Sequence, residues 1–353
     1  MKDDSFAGQR ILVVGGAGFV GSNLVLELLK YKPEEIIIVD NLLSSESRNI
    51  IKDKRVRFIL GSITDDKILA SVSNNVDYVF HLACFHGNQS SISDPLADHQ
   101  NNTLTSLKLF DTLSKSRSLK KVVYAAAACA VAEKTYEKAI ATTEDQPISL
   151  YHDSPYSISK IIGELYGNYY YKKYDLPLVK ARFSNVYGPR EILGAGQWRG
   201  TIHTIYRNVI PSFIWKSLNQ ENLPLENSGQ TSRDFIYVED MARGLCSCAL
   251  KGDSGEVYNL ATGVETTILD IASKINTLTG NKSSLDLKPM RDWDRSGKRF
   301  ASTEKSEKEL DFCARIDIDE GLSKTIEWTK KNSKMIAQCI AKHEYFSAQS
   351  EIS

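Results

Sequence analysis

Apolar positions along this chain come in short runs separated by stretches of helical spacing. Ile11–Val14, Ile36–Val39, Arg55–Leu60, Val76–Leu82, Lys121–Ala125 and Leu178–Phe183 each carry the compact apolar run expected of a strand in a buried parallel sheet. Between them the spacing turns helical. Leu24, Val25, Leu28 and Leu29 share one face of Ser22–Lys30, and Asn102–Leu113 and Ser157–Tyr171 show a similar period. Strands and helices in this alternation predict a doubly wound parallel α/β sheet. Past Asn185 the texture changes: Pro189, Gly194, Gly196, Pro211 and Pro224 punctuate longer connections, which predicts a smaller C-terminal α/β lobe. Val257–Leu260 reads as a strand returning to the first sheet. The expected division is a first domain over 1–188 joined by 234–262, a second lobe over 189–233 and 263–330, and a tail over 331–353 with no assigned role.

The junction between the first strand and helix carries chemistry. Gly15, Gly18 and Gly21 fit GxxGxxG spacing, and Gly16 in place of Gly15 fits GxGxxG. Glycines at this spacing permit a tight turn, close approach of a pyrophosphate and helix–strand packing, the Rossmann-type arrangement. The second strand ends at Asp40, whose carboxylate can accept hydrogen bonds from an adenosine ribose and would repel a 2′-phosphate, so NAD is expected over NADP. Far downstream, Tyr156 and Lys160 lie one helical turn apart in SPYSISK. A tyrosine beside a lysine can move a proton while hydride passes to or from a nicotinamide.

Composition narrows the field. Forty-four basic residues balance forty-four acidic ones, so no global charge draws nucleic acid or an anionic membrane. No apolar stretch is long enough to span a bilayer, and MKDDSFAGQR does not read as a signal peptide. The six cysteines lack zinc-ligand spacing, so no metal is expected and reduced thiols in a cytoplasm are the default.

Seven or more ordered motifs, among them GGAGFVGS, VFHLAC, SPYSISK, ARFSNVYGPRE and SRDFIYVEDMARG, resemble the extended short-chain dehydrogenase/reductases. Within these the chain is most similar to the NAD-dependent nucleotide-sugar epimerase/dehydratase family, and to its bacterial O-antigen (lipopolysaccharide) enzymes. The resemblance implies that Gly15, Gly18 and Gly21, with the backbone of Phe19 and Val20, cradle the pyrophosphate, and that Asp40 and Asn41 hold the ribose. It implies that Ser62, where the family usually carries aspartate, and Ile63 lie near the adenine, with Leu82 and Ala83 beneath the cofactor. Asn102 would prop the strand beside the site. Tyr156 would be the acid/base, with Lys160 on the nicotinamide ribose and lowering the tyrosine pKa. Asn185, Arg233 and Arg291 would contact a nucleotide sugar, UDP-linked by expectation, although Arg291 could equally be a solvated charge. A homodimer is implied through a four-helix bundle using Leu104, Leu107, Leu165 and Tyr169.

One departure bears on mechanism. The family's Ser or Thr after the fifth strand corresponds to Ala127 here. Either Cys129, Thr142 or Thr143 substitutes, or Tyr156 works without it. The next two positions, where 4,6-dehydratases carry Asp-Glu, are Ala128 and Cys129, which disfavours dehydration. The expected activity is therefore 4-epimerisation through a 4-keto sugar. Another nucleotide-sugar oxidoreductase, or an idle cofactor-binding protein, stays open as the alternative. The stretch Glu191–Tyr206 is either a lid over an acidic or amidated sugar or an ordinary surface insertion.

Overall fold

The structure, a computed structural model, describes residues 5–128, 138–290 and 297–350. Seven strands form one parallel sheet: β1 (Arg10–Val14), β2 (Glu35–Asp40), β3 (Val56–Leu60), β4 (Tyr78–His81), β5 (Lys121–Ala127), β6 (Leu178–Phe183) and β7 (Val257–Leu260). Their order across the sheet is β7-β6-β5-β4-β1-β2-β3. The winding direction reverses between β1 and β4, and a crevice opens there at the strands' C-terminal ends. β5 runs two residues beyond the expected Ala125, because Ala126 and Ala127 pair in register with Arg182 and Phe183.

Alternation within each strand supplies both faces of the sheet. Ile11, Val13, Ile36, Ile38 and Phe80 join one core with α1 (Phe19–Lys30), through Leu24 and Leu28. Leu12, Val14, Ile37, Val39 and Val79 join the other with α2 (Thr105–Leu113), through Leu109 and Phe110. Because both faces are covered, the strands read as continuous apolar runs. A wide π-type turn over His99–Leu104 precedes α2 and was not foreseen in the expected helix Asn102–Leu113.

The long helix α3 (Pro155–Tyr174) begins where Ser154 accepts a hydrogen bond from the Ser157 N–H and Pro155 occupies the first turn; it ends at Asp175 in the left-handed region (φ 54°). A buried ion pair ties it to the sheet. Arg182 on β6 donates from Nε and Nη2 to the Glu164 carboxylate, both at 2.9 Å. Helix α4 (Val238–Lys251) returns from the second lobe to pack Met241 and Leu245 against the α1 core. The lobe has its own core, including Tyr187, Phe213, Leu225, Tyr237, Ile271 and Leu322. Among the described residues no helix is long and apolar enough to cross a membrane.

Candidate active site

A cavity of about 470 Å³ occupies the crevice and runs from the glycine loop to the second lobe. At one end Gly15 takes φ +87°, and a Cβ there would meet the Ala83 N–H nitrogen at 2.6 Å; a Cβ on Gly21 would meet the Gly15 oxygen at 2.2 Å. These glycines let the first turn, α1 and the turn after β4 close into one cradle. Leu82 and Ala83 complete it, both donating their N–H to the Val14 carbonyl at 2.9 Å. Gly18 precedes α1 with no side-chain cap, so the N–H groups of Phe19 and Val20 meet the cavity at a helix N-terminus, an arrangement suited to a pyrophosphate.

Asp40 is buried at the cavity edge. Its carboxylate accepts from Ser45 Oγ (2.8 Å), Leu42 N–H (2.9 Å) and Ala17 N–H (3.0 Å). Burial raises its pKa above the usual carboxylate value, and these hydrogen bonds pull it back. Asp40 thus anchors the glycine loop from the cavity edge, a duty that the bare sequence does not reveal. Asn41, Ser62 and Ile63 line the same end. Asn102 does not line the cavity. It sits behind the wall, where its Oδ1 accepts from Phe85 N–H (2.7 Å) and its Nδ2 donates to Asp98 (2.7 Å). Asn102 thus props the loop after β4, as the resemblance implied, and its place behind the wall does not fit the cofactor-lining role also expected of it.

Tyr156 and Lys160 face the middle of the cavity from successive turns of α3. Lys160 is buried, donates from Nζ to the Ala125 carbonyl (2.9 Å), and stands 5.7 Å from the Tyr156 ring centre. The His86 ring meets Tyr156 edge-on at 5.9 Å. Desolvation, with the cations of Arg207 and Arg199, holds the His86 pKa down to about 3, so it is neutral beside the tyrosine. Ala127 and Ala128 line the wall where the family hydroxyl would stand. Of the candidate substitutes, Thr142 lines the cavity, Thr143 is bonded to Asp145 (2.5 Å) and is not part of the lining, and Cys129 lies outside the described residues.

Asn185 and Arg233 line the far end. Arg233 donates from Nη1 to the carbonyls of Ser232 (2.6 Å) and Gly297 (2.9 Å). The neighbouring Asp234 accepts from Thr262 and Gly263, which fixes the Arg233 loop against the end of β7. Arg291 lies outside the described residues; Arg299, from the same basic run, lines the cavity beside Arg233.

Sequence reading left Glu191–Tyr206 open between a lid and a surface insertion; the structure makes the wider stretch 189–208 a strap along the cavity. Arg190 lines the cavity at φ +74° and donates to Ser22 Oγ (2.9 Å) and the Asn49 carbonyl (2.6 Å). Burial alone lowers its pKa, with no carboxylate answering it. Gln197 N–H and Arg199 Nη1 donate to the Leu43 carbonyl, so the strap is stitched to the loop after Asp40. The tail closes over it: His343 Nε2 bonds the Gly194 carbonyl at 3.0 Å, and Phe346 stacks on Trp198 at 5.7 Å. The segment is therefore a packed cavity wall rather than a surface insertion. Its only sequence signal was Trp198 and Arg199 among glycines.

Hydride exchange needs a held dinucleotide and a proton-moving group on one wall, and here α1 and α3 present both to a single crevice. Such a crevice, at the switch point of a parallel sheet, defines a dinucleotide-dependent oxidoreductase of the short-chain dehydrogenase/reductase type. Residues 11–261 match the model of the NAD dependent epimerase/dehydratase family, and the chain belongs to that family. It is similar to the crystal structure of the Bordetella bronchiseptica enzyme WbmF in complex with NAD+ and UDP, with 55% identity, TM-score 0.88, and 98% of this chain and 99% of that one covered. A UDP-glucose 4-epimerase from Thermotoga maritima, solved with UDP-glucose, is 29% identical with TM-score 0.80 over 92% of this chain and 99% of that one. A dTDP-D-glucose 4,6-dehydratase from Dictyostelium discoideum is 30% identical over 78% of this chain, which spans 63% of that relative's length.

Proposed function

We propose that the protein is an NAD-dependent UDP-sugar 4-epimerase. The observation that carries this is Tyr156 and Lys160 on the same cavity as the glycine cradle, with Ala127 on its wall at the family's Ser/Thr position and Ala128 and Cys129, not carboxylates, at the two positions of the dehydratase pair. NAD supplies a hydride acceptor that later returns the hydride to the other face of the sugar. Tyr156 takes the proton from the C4 hydroxyl and gives it back. Lys160 holds a positive charge beside the phenol, favouring its ionised form at the moment of transfer, and can reach a cofactor ribose. Arg233 and Arg299, with Asn185, suit the diphosphate, since a guanidinium fork matches two phosphate oxygens. Arg190, a half-buried cation beside the glycine cradle, suits the cofactor's own phosphates. A surface-polysaccharide setting in the cytoplasm rests on the sequence resemblance.

The test is a panel of UDP-sugars incubated with the purified protein and followed by NMR, with mass spectrometry of the ligand released on denaturation. NAD(H) in the released fraction and a 4-epimer forming without net NADH are expected. Ala127 favours a second reading, an idle binder of NAD and nucleotide sugar. Failure of every sugar to turn over, with NAD still bound, would decide for it.

NAD should bind at least about tenfold more tightly than NADP, because the Asp40 carboxylate at the ribose end would repel a 2′-phosphate. Titration of the apo-protein with both cofactors checks this, and equal affinities would refute it. Asp40→Ala should narrow the gap while weakening both, since it also strands the Ala17 and Leu42 N–H groups.

We further propose a homodimer through α2 and α3. Leu165 and Tyr169 are 55% and 52% exposed on α3, while Leu104 and Leu107 are half-buried. Light scattering at micromolar concentration should give a dimer mass, and a monomer mass would contradict the proposal.

A further inference from the structure

The strap over 189–208 and the loop after Asp40 meet along one edge of the cavity. Both line it, through Arg190, Ile192 and Ala195 on one side and Leu43, Ser44 and Asn49 on the other. The bonds across this seam end on backbone carbonyls. Gln197 N–H donates to Leu43 (2.9 Å), Arg207 donates to Ser44 (3.1 Å), and the Arg190 and Asn49 side chains each donate to the other's carbonyl at 2.6 and 3.0 Å. A Cβ on Gly196 would meet the Leu43 oxygen at 2.2 Å, so the two chains touch there.

The tail grips both sides of the seam. On the strap side, α5 (Ser333–Ala341) packs Cys339 against Ile192 and Ala195, and a Cβ on Gly194 would meet the Cys339 oxygen at 2.4 Å. His343 is buried and donates from Nε2 to the Gly194 carbonyl. Its ring lies 5.9 Å from Trp198, on which Phe346 of α6 (Glu344–Ser350) stacks. On the loop side, Arg48 donates to Gln338 (3.1 Å) and Lys342 pairs with Glu46. Glu46 is the junction, because its Oε1 also accepts from the Gly196 N–H at 3.2 Å. Loop, strap and tail therefore meet at one carboxylate. Among the described residues none from the tail lines the cavity, so the tail acts on a bound molecule only through the strap and the loop.

Opening the seam breaks the tail's contacts as well as its own. The seam flanks the end of the crevice where Asp40 and the glycine cradle lie. In an epimerisation the dinucleotide that takes the hydride must also return it, so a cofactor that leaves midway strands a keto sugar. We propose that the C-terminal helices are a clasp on the cofactor: they hold strap and loop together beside the dinucleotide site and set how slowly NAD leaves. Lys342, His343 and Phe346 are positioning residues, and the inference rests on the NAD-dependent reading above.

Protein loaded with isotope-labelled NAD and chased with excess unlabelled NAD tests it, with the retained label followed over time. A chain ending at Lys331 should release NAD at least about tenfold faster than the full chain. Lys342→Ala/Phe346→Ala removes two exposed side chains and leaves core and cavity intact, so it decides the matter if the shortened chain does not fold. It should speed release about threefold or more, through the lost ion pair and ring stack. A tail that only stabilises the fold would lower the thermal midpoint of the apo-protein and leave release from the folded, loaded protein unchanged. Release within about twofold of the parent, in the double variant and in the shortened chain where that folds, would overturn the inference alone. If the parent protein binds no NAD, the cofactor reading falls and takes this inference with it.

Discussion

Tyr156→Phe will lower epimerase turnover by about 10²-fold or more while NAD stays bound. The substitution keeps the ring that packs against His86 and removes only the phenolic oxygen. The neighbouring groups cannot take its place. Lys160 Nζ is committed to the Ala125 carbonyl, and His86 is held neutral by desolvation and by two nearby arginines. Ala127 presents a methyl group where a second hydroxyl would share the proton. Ala127→Ser should therefore leave turnover unchanged or raise it, and it should not rescue Tyr156→Phe. Single-turnover measurements on a verified UDP-sugar, with bound NAD quantified in each variant, give the answer. Full epimerisation by Tyr156→Phe would show that the proton moves through another group.

Glu164→Ala should destabilise the protein by about 3–5 kcal/mol, the cost of leaving a buried partner charge uncompensated. The Arg182 and Glu164 side chains are only 4% and 6% exposed and meet through two hydrogen bonds of 2.9 Å. Arg182 keeps one further bond, from Nη1 to the Glu144 carbonyl at 3.1 Å, which cannot neutralise it. The pair joins β6 to the helix that carries Tyr156 and Lys160, so its loss should also reduce turnover by loosening α3. Equilibrium denaturation of the NAD-loaded protein measures the first effect. A change below about 1 kcal/mol, the range of exposed pairs, would mean that this pair is solvated. Replacing both partners by apolar residues of similar volume should recover much of the stability, since the cost lies in the unpaired charge rather than in the missing bond.

Legibility in the sequence followed the range of the interactions involved. Strands β1, β2, β4 and β5 were readable because a strand buried on both faces is largely apolar along its length, whatever packs on it, whereas the edge strand β3 is half-exposed and keeps Arg57. The glycine loop and the Tyr156–Lys160 pair were readable for a similar reason: backbone approach at Gly15 and Gly21, and one helical turn of spacing, are local constraints. Asn102 shows where such reading stops. Its supporting role was readable from the resemblance, but the π-type turn over His99–Leu104 places it behind the wall, on Phe85, rather than in the cavity lining.

The strap and the tail lie mostly beyond local reading. Trp198 and Arg199 among glycines left a lid and a surface insertion equally open, nothing marked Arg190, Glu191 or Arg207 as cavity residues, and the tail beyond Lys331 carried no signal. Tertiary structure lays that stretch against Leu43–Ser44 and closes it with His343 and Phe346, nearly 150 residues later. Burial then turns the same charges into a cavity wall with altered proton affinities. Local pattern determined the sheet, the cradle and the proton-moving pair, because steric and periodic constraints act between near neighbours. Which charges lose their water, and which face the sugar, was decided by contacts between distant segments, because desolvation depends on everything that surrounds a group.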